Sequence, residues 1–586
     1  MKKRIVSLLS LCILLSLLMA CGSTGAGIAS TTETPVQTDE KEPVVIETSE
    51  STESEATSAY IQENTQTEES EEAVDSEEPV EPEEPEEIVY EVTYPLTEKP
   101  VTLTLMHSSP MLGPLTGRAG VDSYGDVAGV KIAGEKTGVN IDWREVSMFT
   151  ASEEFNLVVV SGDYPDMLSS VTNYYAGGQS KAYEDEVIQD LSEYVAEYAP
   201  DYYAAIKADA ELFRQTKSDD GKTLAVYAIY DEAINNDGAM VRKDWLDDLG
   251  LEVPTNFDEL TEAMTAIQTE KGVANPIYFN ESCNFLAYGY GVQGFDMAQS
   301  TIPIYHDSET IKCSFVEDDY RDYITRIHDW YESGLINPNF IEFSSDLMSG
   351  ETEVEIWADR TAIWDGMVTN MTNYYANTPD ENFQVVPTVI TTDGGKDHIT
   401  LATRSQDAIC LSTACDEVQL ALGWINYWFQ DEGIMLYNYG VEGDTYEIAS
   451  DGTISYTDKV MNNDLGADPL LYCRTFSLAG CSFGYTVQSR IYLLYEDYQT
   501  KAQNYWTENT DGSKGVPTLS LTTEESALLA TYGTDITTYA AETLPKFVMG
   551  DMPLSDWNSY VETLRDMHID EIIDAYQAAY NRYLAR

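Results

Sequence analysis

Two groups of residues in this chain have the types and spacing that chemistry needs. The first is Gly480-Cys481-Ser482-Phe483-Gly484, which fits G-x-S-x-G, with His568 and several aspartates downstream in the chain order of an α/β-hydrolase. That chemistry requires Ser482 on a tight strand-to-helix turn, an imidazole to take its proton, and backbone amides for the oxyanion. The pattern is short enough to arise by chance, no oxyanion glycine run precedes it, and His568 falls inside the helical stretch LRDMHIDEIIDAY. A secreted serine hydrolase is therefore the weaker reading. A glycoside hydrolase stands no better, because nothing among the 102 acidic residues selects a pair of carboxylates.

The second group is Leu18-Met19-Ala20-Cys21. Lys2, Lys3 and Arg4 precede an apolar run from about Leu8 to Ala20, the charged start and short apolar core of a secretory signal peptide. The run is too short for a comfortable membrane span. A small residue followed by cysteine at this distance is the pattern on which the bacterial lipoprotein pathway places a diacylglycerol on the thiol before cleaving in front of it. Residues 1–20 are thus expected to be a lipoprotein signal peptide and Cys21 the lipid attachment site. Two or three acyl chains, at about 0.8 kcal/mol per buried methylene, would hold the protein stably on the membrane.

Six further cysteines follow Cys21: Cys283, Cys313, Cys410, Cys415, Cys473 and Cys481. Export permits disulfides, but the spacing assigns no pairing. There is no C-x-x-C pair and no D-x-[DN]-x-[DN]-G loop, and the five histidines are scattered singly, so no metal or cofactor is expected.

Residues 21–91 are dominated by Thr, Ser, Glu and Pro, as in ESTESEATSAY and SEEPVEPEEPEEIVY. Such a segment buries too little apolar surface to offset its conformational entropy, which predicts a disordered acidic tether, extended by its prolines and like charges. The whole chain carries a net charge of −70, of which the tether supplies roughly a third, so the folded part is acidic too. Nucleic acid and anionic membrane surfaces are disfavoured as partners, since neither part replaces phosphate counterions.

The elements that must position any site come next. PVTLTLMHSS alternates with period two and predicts a strand; a helix ending at Thr137-Gly138 leads to a second alternating stretch, VNIDWREV. ASEEFNLVVV predicts a helix with Phe155, Leu157, Val158 and Val159 on one face, followed by a Gly-Asp-Tyr-Pro-Asp turn and a short strand. In that turn Asp163 and Asp166 suit loop capping. Strands alternating with helices predict a mainly parallel sheet covered on both faces. In AMVRKDWLDDLGLEVPTNFDELTEAMTAIQTE a strand leads to a short helix closed by Gly250, a Pro step, and a second helix capped at Thr255. YRDYITRIHDWYESG predicts an amphipathic helix ending at Gly334, and RTAIWDGMVTNMTNYYA a strand, a glycine turn and a helix.

MVRKDWLDDLGLEVPTNFDEL, SGDYPDM and EVQLALGWINYWFQDEGIMLYNYGVEGDTYEI, in this order over most of residues 100 to 460, resemble the family 1 extracellular solute-binding proteins, the maltose-binding-protein-like class, and within it a lipoprotein subgroup serving oligosaccharide importers. The resemblance implies an α/β fold of the two-lobed periplasmic-binding-protein-like kind, type II, with an interlobe ligand cleft and C-terminal helices. It places lobe 1 at 92–228, lobe 2 at 229–398, a return to lobe 1 at 399–470, and a C-terminal segment, 471–586, packing across the lobes. It further implies a non-enzymatic, monomeric receptor delivering a small solute, with oligosaccharide favoured, to the permease subunits of an ABC transporter; the length of the tether, which suits a thick wall, places the anchored protein on the extracellular face of the cell membrane. A surface glycan-capture protein without a transporter is the remaining reading.

With 40 Tyr and 9 Trp, the chain suits a carbohydrate cleft, since sugars stack on rings and need polar partners for their hydroxyls. Ligands in parallel α/β sheets bind beyond the carboxyl ends of strands. Trp143, Tyr174 and Tyr175 follow such ends, Tyr288 and Tyr290 sit in a glycine-rich loop, Trp364 and Asp365 belong to IWDGMVTN, and Arg404 and Gln406 precede the returning strand AICL. Trp245, Trp330 and Trp424 lie at core spacing on helices.

Overall fold

Alternation in the first stretch sends Leu103 and Leu105 to one side of strand β1 (Val101–Ser109) and Met106 to the other. The computed structural model in which this is seen describes residues 90–586 apart from 110–116, 118, 148–149, 176, 281–283, 297–299 and 344–349. The signal segment, Cys21, the tether to residue 89 and Cys283 lie outside the described residues.

Helix α1 (Ala128–Thr137) stops where Gly138 takes a left-handed φ of 77°, and its N–H returns to the Gly134 carbonyl. The turn delivers β2 (Val139–Ser147), parallel to β1 with Val101 opposite Val139. After α2 (Ala151–Ser161), β3 (Met167–Ser169) lies parallel on the other side of β1. Asp166 ties the two, its carboxylate accepting from the Thr104 amide at 2.7 Å and hydroxyl at 2.8 Å. The expected apolar face of α2 is divided: Phe155 is buried, while Leu157 is 69% exposed.

Next come α3 (Ala210–Gln215) and β4 (Val226–Tyr230), after which the chain crosses to β5 (Asp237–Arg242). Then follow α4 (Lys243–Leu249), α5 (Phe257–Ala266), α6 (Asp318–Glu332), β6 (Ile363–Met367) and β7 (Val385–Pro387). The cap of α5 is Asn256 rather than Thr255, its side chain accepting from the amides of Asp258 and Glu259 at 3.1 and 3.0 Å. Thr255 lies one residue outside, its amide donating to Glu259 at 2.9 Å. The chain returns as β8 (Ser405–Leu411) and α7 (Val418–Tyr427), and continues through β9 (Tyr485–Thr486) to α8 (Asp497–Asn509), α9 (Thr523–Leu528), α10 (Thr534–Met549), α11 (Trp557–Asp566) and α12 (Ile569–Leu584).

The two largest of the four sheets among the described residues each lie at the centre of a lobe. Lobe 1 holds six strands in the order β9-β4-β8-β3-β1-β2, and lobe 2 holds three, β6-β5-β7. Lobe 1 departs from the expected parallel arrangement at β8, which is antiparallel to both β3 and β4. The reason is connectivity: β8 comes back from lobe 2, enters at the interlobe end and runs away from it. In lobe 2 both pairings of β5 are antiparallel.

Each sheet is covered on both faces. In lobe 1 Ile409 and Leu411 join a core with Trp424, Trp428 and Phe483, while Ala408 and Cys410 face Phe155 and Val187. In lobe 2 Val241 and Ile363 pack with Leu260, Ile327 and Ile572, and Met240 and Trp364 pack with Tyr374, Phe383 and Trp506. Trp330 is buried and donates to Thr261 Oγ1 at 2.9 Å. At the end of β5 the Arg242 side chain is 0% exposed, sandwiched between the rings of Trp245 at 4.2 Å and Phe383 at 4.6 Å, and bonded to Asp244 and Asp359, each at 2.7 Å. Among the described residues no helix is long and apolar enough to cross a membrane.

Candidate functional site

The interlobe end of the lobe 1 sheet is a cluster of small hydroxyls. The Ser108 amide donates to Ser169 Oγ at 3.1 Å, and the Ser108 hydroxyl lies 3.2 Å from Tyr174 Oη. Ser170 holds a positive φ of 59°, a strained conformation for a residue with a side chain. Its amide donates to the Ala408 carbonyl at 3.1 Å and its hydroxyl donates to Asp407 Oδ2. The same oxygen accepts from Ser482 Oγ at 2.6 Å, so Asp407 joins β3, β8 and the GCSFG loop. A carboxylate directly before the apolar run Ala408–Leu411 of β8 is the sequence signal for this residue.

Beside Asp407 a cavity of about 540 Å³ opens between lobe 1 and the segment leading into α9, with Thr172, Asn173, Gln179, Ser405, Thr518 and Ser526 among its walls. Gln179 donates to Thr172 Oγ1 at 2.8 Å and accepts from Tyr227 Oη at 3.1 Å. Three charged residues reach the lining, and each is met by the protein. Asp407 accepts from Ser170, Ser482 and the Ala408 amide, Lys217 Nζ donates to Thr223 Oγ1 at 2.6 Å, and Arg586 is paired with Asp219. The Lys217 ammonium is pushed below its usual range by burial. The walls therefore offer hydroxyls and amides beside a hydrogen-bonded carboxylate, Asp407, and a hydrogen-bonded ammonium, Lys217, which fits a polyhydroxylated solute.

A second pocket, of about 40 Å³, lies where the chain crosses between lobes, and is lined by Asp237, Asp365, Asp397, Tyr288 and Trp506. Asp365 Oδ1 is buried with no hydrogen-bond partner, and burial, helped by Asp237, pushes its carboxyl up to about 7. Asp237 is raised as well, by burial and then by Asp397. Asp397 instead accepts from the amides of Ile399 and Thr400 at 2.7 and 3.2 Å. No group of three or more His, Cys, Asp or Glu side chains is arranged to hold a metal among the described residues.

The predicted site residues fall into separate places. Tyr288 and Asp365 share the crossing pocket. Tyr174 and Tyr175 flank Phe155, with ring centroids 6.1 and 6.4 Å away, just before the cavity wall at Gly177, and Tyr175 donates to Asp185 at 2.7 Å. Tyr290 packs against Phe257, ring centroids 4.6 Å apart and planes tilted by 48°, in a different hollow beside Asp258 and Arg326. Arg404 spans the crossing, donating to the Tyr230 carbonyl at 2.9 Å and to Asp209 at 3.0 Å. Trp143 packs inside lobe 1 against Tyr124 at 5.2 Å and Phe483 at 6.1 Å, and Trp364 is 0% exposed inside lobe 2, edge-on to Tyr374. Trp364 sits on a strand buried on both faces, whereas Trp143 sits on the inward face of the edge strand β2, whose other face carries the exposed Asn140, Asp142 and Arg144. Ser482 and His568 are not assembled: His568 bonds Glu571 at 2.9 Å and lies 4.2 Å from the Tyr532 ring, whereas Ser482 bonds Asp407.

The backbone superposes on known proteins over 83% of the chain. Alginate-binding protein AlgQ2 matches with a TM-score of 0.63 at 20% identity over 83% of this chain and 99% of its own. A human-milk-oligosaccharide-binding, ABC-transporter-associated solute-binding protein from Bifidobacterium longum infantis matches with a TM-score of 0.65 at 16% identity over the same 83% of this chain. The fold is that of an extracellular solute-binding protein. In sequence, the fructooligosaccharide ABC transporter substrate-binding protein FusA of Streptococcus pneumoniae is 25% identical over 382 residues, 60% of this chain and 65% of its own length. The polygalacturonan/rhamnogalacturonan-binding protein YtcQ of Bacillus subtilis is 20% identical over 54% of this chain and 63% of its own. The alignments thus span somewhat less than two thirds of the curated relatives. No model of a known protein family matches the chain. The solute-binding resemblance read from the sequence holds, and the relatives are binding proteins by name.

Proposed function

We propose that the protein is a lipid-anchored, non-enzymatic receptor that takes up a neutral oligosaccharide between its lobes and hands it to the permease subunits of an ABC importer. The observation that carries this reading is the cavity between lobe 1 and the C-terminal part of lobe 2, whose walls are hydroxyls and amides and whose three charges are each met within the protein. FusA, named for fructooligosaccharides, supports the neutral class. The fate of Ser482 and His568 weighs against a serine hydrolase.

A thermal-shift series of the full chain with fructo-, manno- and gluco-oligosaccharides, uronic-acid oligosaccharides and peptides tests the ligand class. A neutral oligosaccharide at a hundred times its dissociation constant stabilises the native state by about 2.7 kcal/mol and is recovered intact. Stabilisation by uronides or peptides alone, or recovery of a cleaved sugar, refutes the reading. The anchor has its own test: Cys21→Ser abolishes palmitate incorporation in cells and releases the protein to the medium, and retained labelling refutes the lipid site.

A further inference from the structure

Helix α12 is rooted in lobe 2. Its Ile569 and Ile572 enter the core with Val241 and Ile363, and its Gln577 side chain accepts from the Ile311 amide at 2.7 Å and donates to the Glu309 carbonyl at 2.9 Å. The end of the chain from Arg582 nevertheless bonds lobe 1. Arg582 Nε donates to Asp219 Oδ2 at 2.6 Å, and Arg586 Nε donates to Asp219 Oδ1 at 3.0 Å. Asp219 stands in the tight turn that leads into β4, closed by Gly221 N–H to Ser218 O at 2.9 Å. One turn along α12 the Tyr583 hydroxyl donates to Glu211 of α3, and the Arg214 guanidinium lies over the Tyr583 ring at 5.8 Å. Glu525 of α9 fixes Arg582 from the other side with contacts of 2.7 and 2.6 Å.

This is unlike the exposed pairs elsewhere on the surface. The Asp219 side chain is 20% exposed and that of Arg586 only 3%, so salt screens the pairing weakly. Removing one partner leaves a sheltered charge unpaired. Both carboxylate oxygens of Asp219 are taken by lobe 2 arginines, which makes this one residue the lobe 1 end of the cluster. Ser218 and Arg586 also line the large cavity, so the cluster stands on its rim.

We propose that Asp219, Arg582, Arg586, Tyr583 and Glu211 form a clasp that sets the angle between the lobes and gates the cavity, because the lobes cannot part along it without breaking these bonds. The clasp rests on the receptor reading only for the identity of what enters the cavity.

Its test uses the full chain without ligand, spin-labelled at one exposed position in each lobe, Glu153→Cys and Asp319→Cys, with the interlobe distance distribution read by pulsed dipolar spectroscopy. Asp219→Ala adds a longer-distance population that the parent lacks, Tyr583→Phe adds a smaller one, and Asp219→Ala with Arg586→Ala shifts no further than Asp219→Ala alone. A variant distribution that superposes on the parent overturns the clasp, and so does a double variant whose shift equals the sum of the single ones. Should Asp219→Ala fail to fold, Asp219→Asn removes the charge at the same shape and carries the same expectation. A second readout adds fructo-oligosaccharide: its association rate with the Asp219 variant rises at least threefold, and an unchanged rate overturns the gating. A longer-distance population in a protein that binds no oligosaccharide leaves the clasp standing and refutes the receptor reading instead.

Discussion

Lobe 1 is built on six strands and lobe 2 on three, and each buries a titratable group of a different kind. Lobe 1 encloses His107 in a ring of aromatic side chains, with Tyr124 at 5.1 Å and Trp143 at 5.8 Å, and neither imidazole nitrogen has a hydrogen-bond partner. Burial holds this histidine down at about 4. Lobe 2 encloses Arg242 between two rings with carboxylates around it, and at its crossing pocket Asp365, whose Oδ1 has no hydrogen-bond partner and whose carboxyl is held up at about 7. Neutral buried groups thus occur in both lobes, but the histidine resists a proton and the aspartic acid keeps one. His107 and Asp365 therefore respond to pH with opposite sign, although one chain threads both lobes.

The largest effect is expected at Arg242. Arg242→Ala leaves Asp244 sheltered and unpaired and removes the filling between Trp245 and Phe383, costing lobe 2 about 3–5 kcal/mol. Chemical denaturation followed by tryptophan fluorescence checks it, and a loss confined to the lobe 1 transition breaks the comparison. Next is Asp365. Its folded pKa is raised, so the native state binds more protons than the unfolded chain between about pH 4 and 7, and stability falls as pH rises through that window. Asp365→Asn removes this decline and stabilises the protein at pH 8 by about 2 kcal/mol, which melting curves from pH 4 to 8 read directly.

His107 gives the mirror image. Its folded pKa lies below the unfolded value of about 6.5, so the stability it permits is present above that pH and is lost as pH falls through about 4. His107→Leu flattens the acid side of the same melting curves without moving the alkaline side, by about 1 kcal/mol at pH 5. If His107→Leu and Asp365→Asn flatten the same side, the lobes do not differ in the way described. The smallest effect is expected at Lys243, which pairs with Asp247 on the exposed face of α4. Lys243→Ala changes stability by less than about 0.5 kcal/mol in 0.15 M salt, against several for its neighbour Arg242.

Much of this arrangement was legible in residues that act locally. Period-two alternation located β1 and β2, and Thr137-Gly138 marked the turn between α1 and β2 because only a residue free of a Cβ takes that φ cheaply. The cap of α5 was misplaced by one residue since Thr255 and Asn256 both carry capping groups and only tertiary placement chooses between them. The direction of β8 was illegible, being fixed by a return from the other lobe after more than a hundred residues. Trp143 and Trp364 show the limit of reading a strand end as a ligand face: alternation puts Trp143 on the inward face of β2, where the lobe 1 core and not a ligand covers it, and Trp364 sits on a strand with core on both sides. Nothing local links Asp219 to Arg586, 367 positions apart, or brings Thr172 opposite Ser526 across the cavity.

The most direct test of the receptor account is small-angle scattering of the protein with and without a saturating neutral oligosaccharide, beside a uronic-acid oligosaccharide of equal length. The account predicts that the neutral sugar reduces the radius of gyration as the lobes close, while the uronide leaves the scattering unchanged. Contraction with the uronide and none with the neutral sugar would contradict it.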